Sequence, residues 1–430
     1  MKKINLLKEV LSHEVFPALG CTEPIAVALA AAAAAAEIEG DPDDIRIVVD
    51  PGVYKNGLAV TIPNSGDERG NLLAGVMGAL IKRPDLRMEL LSSAEPGVVD
   101  RAKKLIREKR ASISYDPRKT GLYIEVEVCS GPSRARAIVE GGHTNLVLLE
   151  KNGTVILKRQ KPDPPKKAQK SYREVLKEST VSDLIDLVEA MDAEDLSSIR
   201  FGVEMNRQAS EAGRKLKKVG YYVSRIVEQG LLQNDVVSSC KVLTASAADA
   251  RMAGLNVPVM ASGGSGNQGI VAILVPDNVG RHFQVEEKRI LQSIALSHLM
   301  NSYIKCFTGN LSPICGCAIA AGVGAAVAIV YQLDGRDLNK ITLAVNNLIS
   351  DLGGMLCDGA KGGCALKVVS STDSAIRAAY MALNDCGIRE AEGFVGQTAE
   401  ETIRNFSRIS RVGMAKVDAT ILEIMKEKMI

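Results

Sequence analysis

The chain has 430 residues, 46% apolar and 24% charged, which is the composition of a soluble globular protein and excludes a disordered or collagen-like chain. Its 53 Lys and Arg balance 51 Asp and Glu, and aromatic residues make up only 3% with no Trp. That leaves neither the basic surface nor the stacking rings that a nucleic-acid partner requires. The length allows two or three domains with ample core.

In chain order, residues 4–16 place Leu6, Leu7, Val10, Leu11 and Val15 at a helical period. Cys21-Thr22-Glu23-Pro24 then opens an Ala-rich helix with an unbroken alanine run over 30–36. Ala has the highest helix propensity, Thr22 can cap, and Pro is tolerated in a first turn. Strands are predicted at 45–49, 59–62, 122–128, 136–139 and 146–149, and helices at 69–81 and 96–109. Residues 1–157 are therefore expected to form an α+β domain on the substrate side. The segment 158–170, with three prolines among six Lys or Arg, predicts an exposed linker.

Beyond it, 171–430 reads as a mostly α-helical domain. Helices are predicted at 171–192, 195–230, 232–252, 284–307, 313–332, 335–351, 372–385 and 398–428, interrupted by Gly-rich stretches at 262–269 and 353–363. Residues 314–331 carry no charge, at the lower edge of membrane-spanning length. Their Ala, Gly and Val content, without an aromatic belt or basic flanks, predicts a buried core helix and no membrane partner. The N-terminal apolar stretch is broken by Lys8, Glu9, His13 and Glu14, so it has no signal-peptide core. The nine cysteines are an odd number in a long chain, which favours a reducing, cytoplasmic setting over a disulfide framework.

Five segments carry candidate chemistry. Cys21 stands at a helix start, where free N–H groups and the dipole lower a thiol's pKa, so it is a candidate nucleophile, base or metal ligand, with Glu23 beside it; a small buried residue in a turn is the plainer alternative. In Ser312-Pro313-Ile314-Cys315-Gly316-Cys317, Ser312 reads as N-cap and Pro313 as the first helical residue, with Cys315 in the first turn. Two positions on a helix turn through about 200°, so only one of the two sulfurs should face a given site. Cys315 is that one, and Cys317 is assigned to the core. Cys357 and Cys364 flank a loop rich in glycine, whose backbone can wrap an inorganic group and aim N–H donors at sulfide. Zinc competes, but paired short knuckles are missing. Three thiolates, Cys315, Cys357 and Cys364, on a four-iron cluster would leave one iron open; Gly-rich packing turns are the alternative.

The fourth segment, 262–269, has the glycine spacing of a dinucleotide fingerprint, with 257–261 as the strand before it. Only 270–275 follow before Pro276, too short for the required helix. Its N–H groups and Ser265, Asn267 and Gln268 can instead hold a small carboxylate, and a plain tight turn stays open. The fifth, 141–145, puts His143 on a loop where it can titrate or donate to a carboxylate. His13, His282 and His298 read as structural, and Lys305 and Lys361 are candidate carboxylate partners.

Together, ALGCTEPIAVALA at 18–30, GGHTN at 141–145, TASAADARMAG at 244–254, SGGSGNQGI at 262–270, LSPICGCAIAAGVGAA at 311–326 and LGGMLCDGAKGGCALKV at 352–368 resemble the L-cysteine desulfidase family, related to the iron–sulfur L-serine dehydratases. The resemblance implies an α+β part, a helical part and an oxygen-sensitive 4Fe-4S cluster on Cys315, Cys357 and Cys364. The segment around Cys21 looks like the counterpart of a Ser/His-rich substrate loop in the serine dehydratases, and a cysteine there points to a sulfur substrate. The Cys357–Cys364 spacing is shorter than in those enzymes and Cys317 adds a fourth thiol. The choice of Cys315 or Cys317 therefore stays open, and Cys21 could itself ligate.

The reaction this implies is α,β-elimination of L-cysteine to pyruvate, ammonia and sulfide. Cys21, Glu23 and His143 form the catalytic set, with Cys21 as the base, and Ser265, Asn267 and Gln268 hold the substrate. No pyridoxal phosphate is expected, because the cluster would supply the electrophile. L-serine dehydration and a non-catalytic metal- or sulfur-binding role are the alternatives. A small amino acid is the expected partner, and a homo-oligomer is left open.

Overall fold

The alanine run after Cys21 becomes the helix on which the first part of the chain is assembled. In the computed structural model, which describes residues 5–95, 97–119, 121–159, 170–309 and 311–428, the elements run α1 (Leu6–Glu14), β1 (Pro17–Ala18), α2 (Thr22–Glu37), β2 (Asp44–Val49), α3 (Pro51–Gly57), α4 (Asn71–Ile81), α5 (Val98–Arg107), β3 (Ala111–Tyr115), β4 (Tyr123–Ser130), β5 (Ser133–Glu140), β6 (Leu146–Lys151) and β7 (Thr154–Lys158). One sheet has the order β3-β2-β4-β5-β6-β7. β2 and β3 are parallel, joined through α3, α4 and α5, and the other neighbours are antiparallel.

Alternation along the strands buries one face of the sheet: Ile45, Ile47 and Val49 on β2, and Ile124, Val126 and Val128 on β4. Helix α2 lies against β4 and β5 on that face. Its alanines add no bulk, so neighbours come close. An added Cβ at Gly78 of α4 would stand 2.2 Å from the Ala28 carbonyl oxygen, which makes glycine there a condition of the α2–α4 contact.

The second part is helical, as expected: α6 (Tyr172–Glu178), α7 (Val181–Glu189), α8 (Ala193–Arg214), α9 (Val219–Glu228), α10 (Val236–Met252), β8 (Val259–Met260), α11 (Gly266–His282), α12 (Glu287–Thr308), α13 (Ala320–Asp334), α14 (Leu338–Leu352), α15 (Cys364–Leu383), α16 (Ala399–Arg408) and α17 (Val417–Glu427). Leu6, Leu7, Val10 and Leu11 of α1 share its core, and β1 pairs antiparallel with β8. The segment 320–332 is buried throughout, and among the described residues no helix is long and apolar enough to cross a membrane. Most of the expected linker, 160–169, lies outside the described residues.

Several boundaries differ from the sequence reading. The apolar run 59–62 makes only an isolated bridge, Thr61 with Arg69, and β3 and β7 were not expected. The predicted 171–192 and 195–230 each divide into two helices; Thr180 caps a new start by accepting from the Asp183 N–H. The main correction is α11, which runs straight through Pro276. An interior proline costs about 3 kcal/mol. Burial of Ile270, Val271, Ile273, Leu274, Val275 and Val279 outweighs it, at roughly 1.5–3 kcal/mol each. The dinucleotide reading fails elsewhere, because β8 is a two-residue antiparallel strand and not the parallel strand of a βαβ unit.

Candidate active site

The helix after Ser312 begins at Ala320, not at Pro313. The reason is a pairing of two loops. The Cys315 N–H donates to the Met355 carbonyl at 2.9 Å and the Cys357 N–H to the Pro313 carbonyl at 2.7 Å, bridging Ile314 to Leu356. Ile314 and Cys315 are therefore held beside the glycine loop, residues 316–319 form a turn onto the Cys315 carbonyl, and the half-turn separation expected on a helix is lost. Cys315 and Cys317 share a hydrogen bond between their sulfurs and line the same cavity.

That cavity lies where α2 and α3 meet α10, α11, α12 and α15. It is lined by all the proposed catalytic, substrate-holding and cluster residues, Cys21, Glu23, His143, Ser265, Asn267, Gln268, Cys315, Cys357 and Cys364, by the candidate Lys305, and also by Asn56, Arg251, Cys317 and Lys367. Lys361 is not among the lining residues; it pairs with Asp358.

One wall is thiol. The hydrogen bond from Cys317 lowers the Cys315 thiol to about 7 against its burial, helped by Lys367 and the N–H groups of Ala318 and Cys317; the same bond and burial push Cys317 up. Burial also raises Cys357 and Cys364, which take backbone N–H donors from Gly359 and Lys361. Lys367, one turn into α15, donates to the Leu356 carbonyl at 2.6 Å and to Asp358 at 2.7 Å. Among the described residues, no three His, Cys, Asp or Glu gather around one point as a single ion requires. A polynuclear cluster spreads its thiolates around a larger core and takes N–H donors at sulfur. Each of the three expected ligand sulfurs has such a donor, so this donor set fits a 4Fe-4S group.

The rest of the lining is largely polar. Glu23 is buried and accepts from the Cys21 thiol at 2.9 Å, the Thr22 hydroxyl at 3.1 Å and the Asn56 amide at 3.0 Å. Burial alone would raise its carboxyl; the His143 ring and these donors instead hold it at about 2. Cys21 does stand at the N-cap of α2, but its thiol is pushed up, not down, by burial and by the Glu23 carboxylate. A helix dipole is worth about 0.3–1 kcal/mol and loses to desolvation beside a like charge. The resting pair is thus a thiol hydrogen-bonded to a carboxylate.

His143 comes from the β5–β6 loop. Burial lowers it to about 4, and its Nε2 has no partner. The loop before α11 is fixed from below: His298 and Asn301 reach the Ser262 hydroxyl at 2.8 and 2.9 Å, and Lys305 donates to the Gly263 carbonyl. Ser265 stands at the N-cap of α11, and the side-chain oxygens of Asn267 and Gln268 are buried without partners. Arg251, at the end of α10, was not singled out in the sequence, although it lies in the quoted segment 244–254. It is 2% exposed and its Nε is unpartnered. Asn56 and Lys367 were also missed, and Cys317, assigned to the core by helix geometry but kept as an alternative ligand, lines the cavity.

Residues 126–423 match the family model described as serine dehydratase alpha chain. The chain belongs to that family. Over 425 residues it is 59% identical to a UPF0597 protein of Geobacter sulfurreducens, covering 99% of each chain. It is 56% identical to a UPF0597 protein of Elusimicrobium minutum, covering 99% of this chain and 100% of the other, and 36% identical to one of Clostridium tetani over the full length of both. The family description names serine dehydratase, the relatives carry no activity in their names, and none names a desulfidase, so a sulfur substrate rests on the residues alone.

Proposed function

We propose that this protein is a cluster-dependent lyase that eliminates the β-substituent of a small L-amino acid, with L-cysteine giving pyruvate, ammonia and sulfide. One observation carries the reading. The thiols of Cys315, Cys317, Cys357 and Cys364 line a single cavity together with Glu23, His143, Asn267 and Gln268. Membership of the serine dehydratase alpha chain family supports the reaction class.

Cys315, Cys357 and Cys364 would hold a 4Fe-4S cluster, which when bound supplies a Lewis acid for the leaving group on Cβ. The chain handles the protons. Cys21 Sγ takes the Cα proton while its own proton passes along the 2.9 Å hydrogen bond to Glu23 Oε2. The Cα–H electron pair forms the Cα–Cβ double bond as the Cβ–S bond breaks, and the proton stored on Glu23 is returned to the departing group. Ser265, Asn267, Gln268 and His143 orient the amino acid. The aminoacrylate released then tautomerises and hydrolyses to pyruvate and ammonia.

The family description favours a second substrate, L-serine, with the same residues acting on a hydroxyl leaving group. The experiment is anaerobic reconstitution with iron and sulfide, followed by iron count, visible absorption, and pyruvate release from L-cysteine and L-serine. A higher kcat/KM for L-cysteine is expected. A strong preference for L-serine would remove the sulfur substrate. An iron-loaded protein releasing neither pyruvate nor sulfide would leave the metal-binding role.

A further inference from the structure

A buried guanidinium normally has a carboxylate beside it, because an unpaired charge out of water is costly. Arg251 has none. It makes no ion pair or side-chain hydrogen bond among the described residues, yet it is 2% exposed and borders the cavity. The backbone is arranged to admit it. Gly266 opens α11, and a Cβ there would stand 2.3 Å from Arg251 Nε and 2.8 Å from its Cδ. Its neighbours on this wall are also unfilled: the oxygens of Asn267 and Gln268 want donors, and His143 Nε2 lacks a partner. A guanidinium fork beside two free amide oxygens is the complement of a carboxylate with an ammonium on the adjacent carbon.

We propose that Arg251 is the anchor for the ligand's α-carboxylate, which restricts the site to 2-amino acids with a free carboxyl group. The proposal rests on the amino-acid reading above for its ligand class, but not on turnover. Lys305, the other buried cation of the cavity, is already committed to the Gly263 carbonyl, and its neighbour Glu14 to Arg173. Glu23 is the one carboxylate lining the cavity among the described residues, and it is occupied by Cys21, Thr22 and Asn56. Arg251 is thus the cation left for a ligand.

The test uses the full chain without iron, with L-cysteine, L-serine and L-serinamide as probes in calorimetry and thermal melting. Wild type should bind the two amino acids and not the amide, and its Tm should rise with the amino acids. Arg251→Gln should lose about 100-fold or more in affinity for the carboxylates, because a desolvated charge pair is removed. A merely structural arginine would leave a protein that melts lower. An anchor carries an unrelieved charge, so ligand-free Arg251→Met should melt no lower than wild type and show no Tm rise with L-serine. Gly266→Ala, which displaces the guanidinium, should weaken carboxylate binding as well. Wild type that binds neither amino acid, wild type that binds the amide equally, or Arg251→Gln with wild-type affinity overturns the proposal. Carboxylate-dependent binding without pyruvate release from the reconstituted enzyme would instead overturn the elimination reading and leave the anchor standing.

Discussion

The Lys55 ammonium donates to the main-chain oxygen of Cys357 across 2.8 Å, tying the thiol loop to α3. Lys55 is 2% exposed, and it also pairs with Asp418 of α17 at 2.5 Å. Three distant parts of the chain meet at this one nitrogen. Lys55→Met keeps the apolar stem and removes the charge, leaving a loop carbonyl and a half-buried carboxylate without their donor. A loss of about 1–3 kcal/mol is expected in urea unfolding. Iron bound per chain after anaerobic reconstitution should fall as well, because the Cys357 backbone is no longer pinned. Unchanged iron content in the variant would mean the loop is held by other contacts.

Gly359 sits in the same loop at φ +92°, a conformation that side chains rarely adopt, and an added Cβ would lie 2.5 Å from the Lys55 carbonyl oxygen. Gly359→Ala should therefore lower both stability and iron retention. Gly78→Ala is the matched control. Its Cβ would meet the Ala28 backbone, far along the chain from the thiol loop, so it should cost about 1–3 kcal/mol through overpacking with no change in iron per surviving folded chain. Equal loss of iron in both variants, at equal folded fraction, would deny Gly359 a role specific to the thiol loop.

The division into an α+β part and a helical part was legible because propensity and burial agree there. The alanines of α2 are good helix formers, and they are also what the packed sheet face needs. Disagreements arose where tertiary contacts overrule local pattern. Pro276 reads as a stop, but α11 is buried on all sides and continues. Cys315 reads as a first helical turn, but its N–H is claimed by Met355, forty residues on. The edge strands β3 and β7 are short and half-polar or exposed, so neither alternation nor hydrophobicity announces them. The expected site residues do line one cavity, because glycine-rich turns and a cysteine at a helix start are local features. Arg251 is different. Nothing in a linear sequence tells an arginine whose partner is missing from one that is paired.

His298 offers a pH test of the loop that carries Ser265. It is 1% exposed, holds the Ser262 hydroxyl at 2.8 Å, and burial lowers it to about 3. A histidine buried neutral takes its proton in the unfolded chain first. Its contribution is complete above the unfolded value near 6.5 and is lost as pH falls from there toward 3. The whole-protein profile hides this, since burial raises Asp50 and Asp249 to about 6 and these gain stability over the same acid range. The stability difference between wild type and His298→Gln isolates the ring. It should shrink by up to roughly 1.4 kcal/mol per pH unit between pH 6.5 and 4. A difference constant over that range would mean that the ring is protonated in the folded protein.

Glu23 is the proton store in the proposed mechanism: the Cys21 thiol is already hydrogen-bonded to it, and a carboxyl held at about 2 passes the proton on rather than keeping it. Glu23→Gln keeps the size and can still accept from Asn56, but it cannot receive the Cys21 proton. In the reconstituted enzyme kcat should fall about 10²–10⁴-fold with KM changed little, since the carboxylate is assigned no contact with the ligand's carboxyl group. Cys21→Ser should fall less than Cys21→Ala, because a hydroxyl can still hand a proton to Glu23. Exchange of the Cα hydrogen of L-cysteine in deuterium oxide reports the same step apart from loss of sulfide. Both Glu23→Gln and Cys21→Ala should abolish that exchange. Exchange that persists at the wild-type rate in Cys21→Ala but stops in Glu23→Gln would move the base from the thiol to the carboxylate.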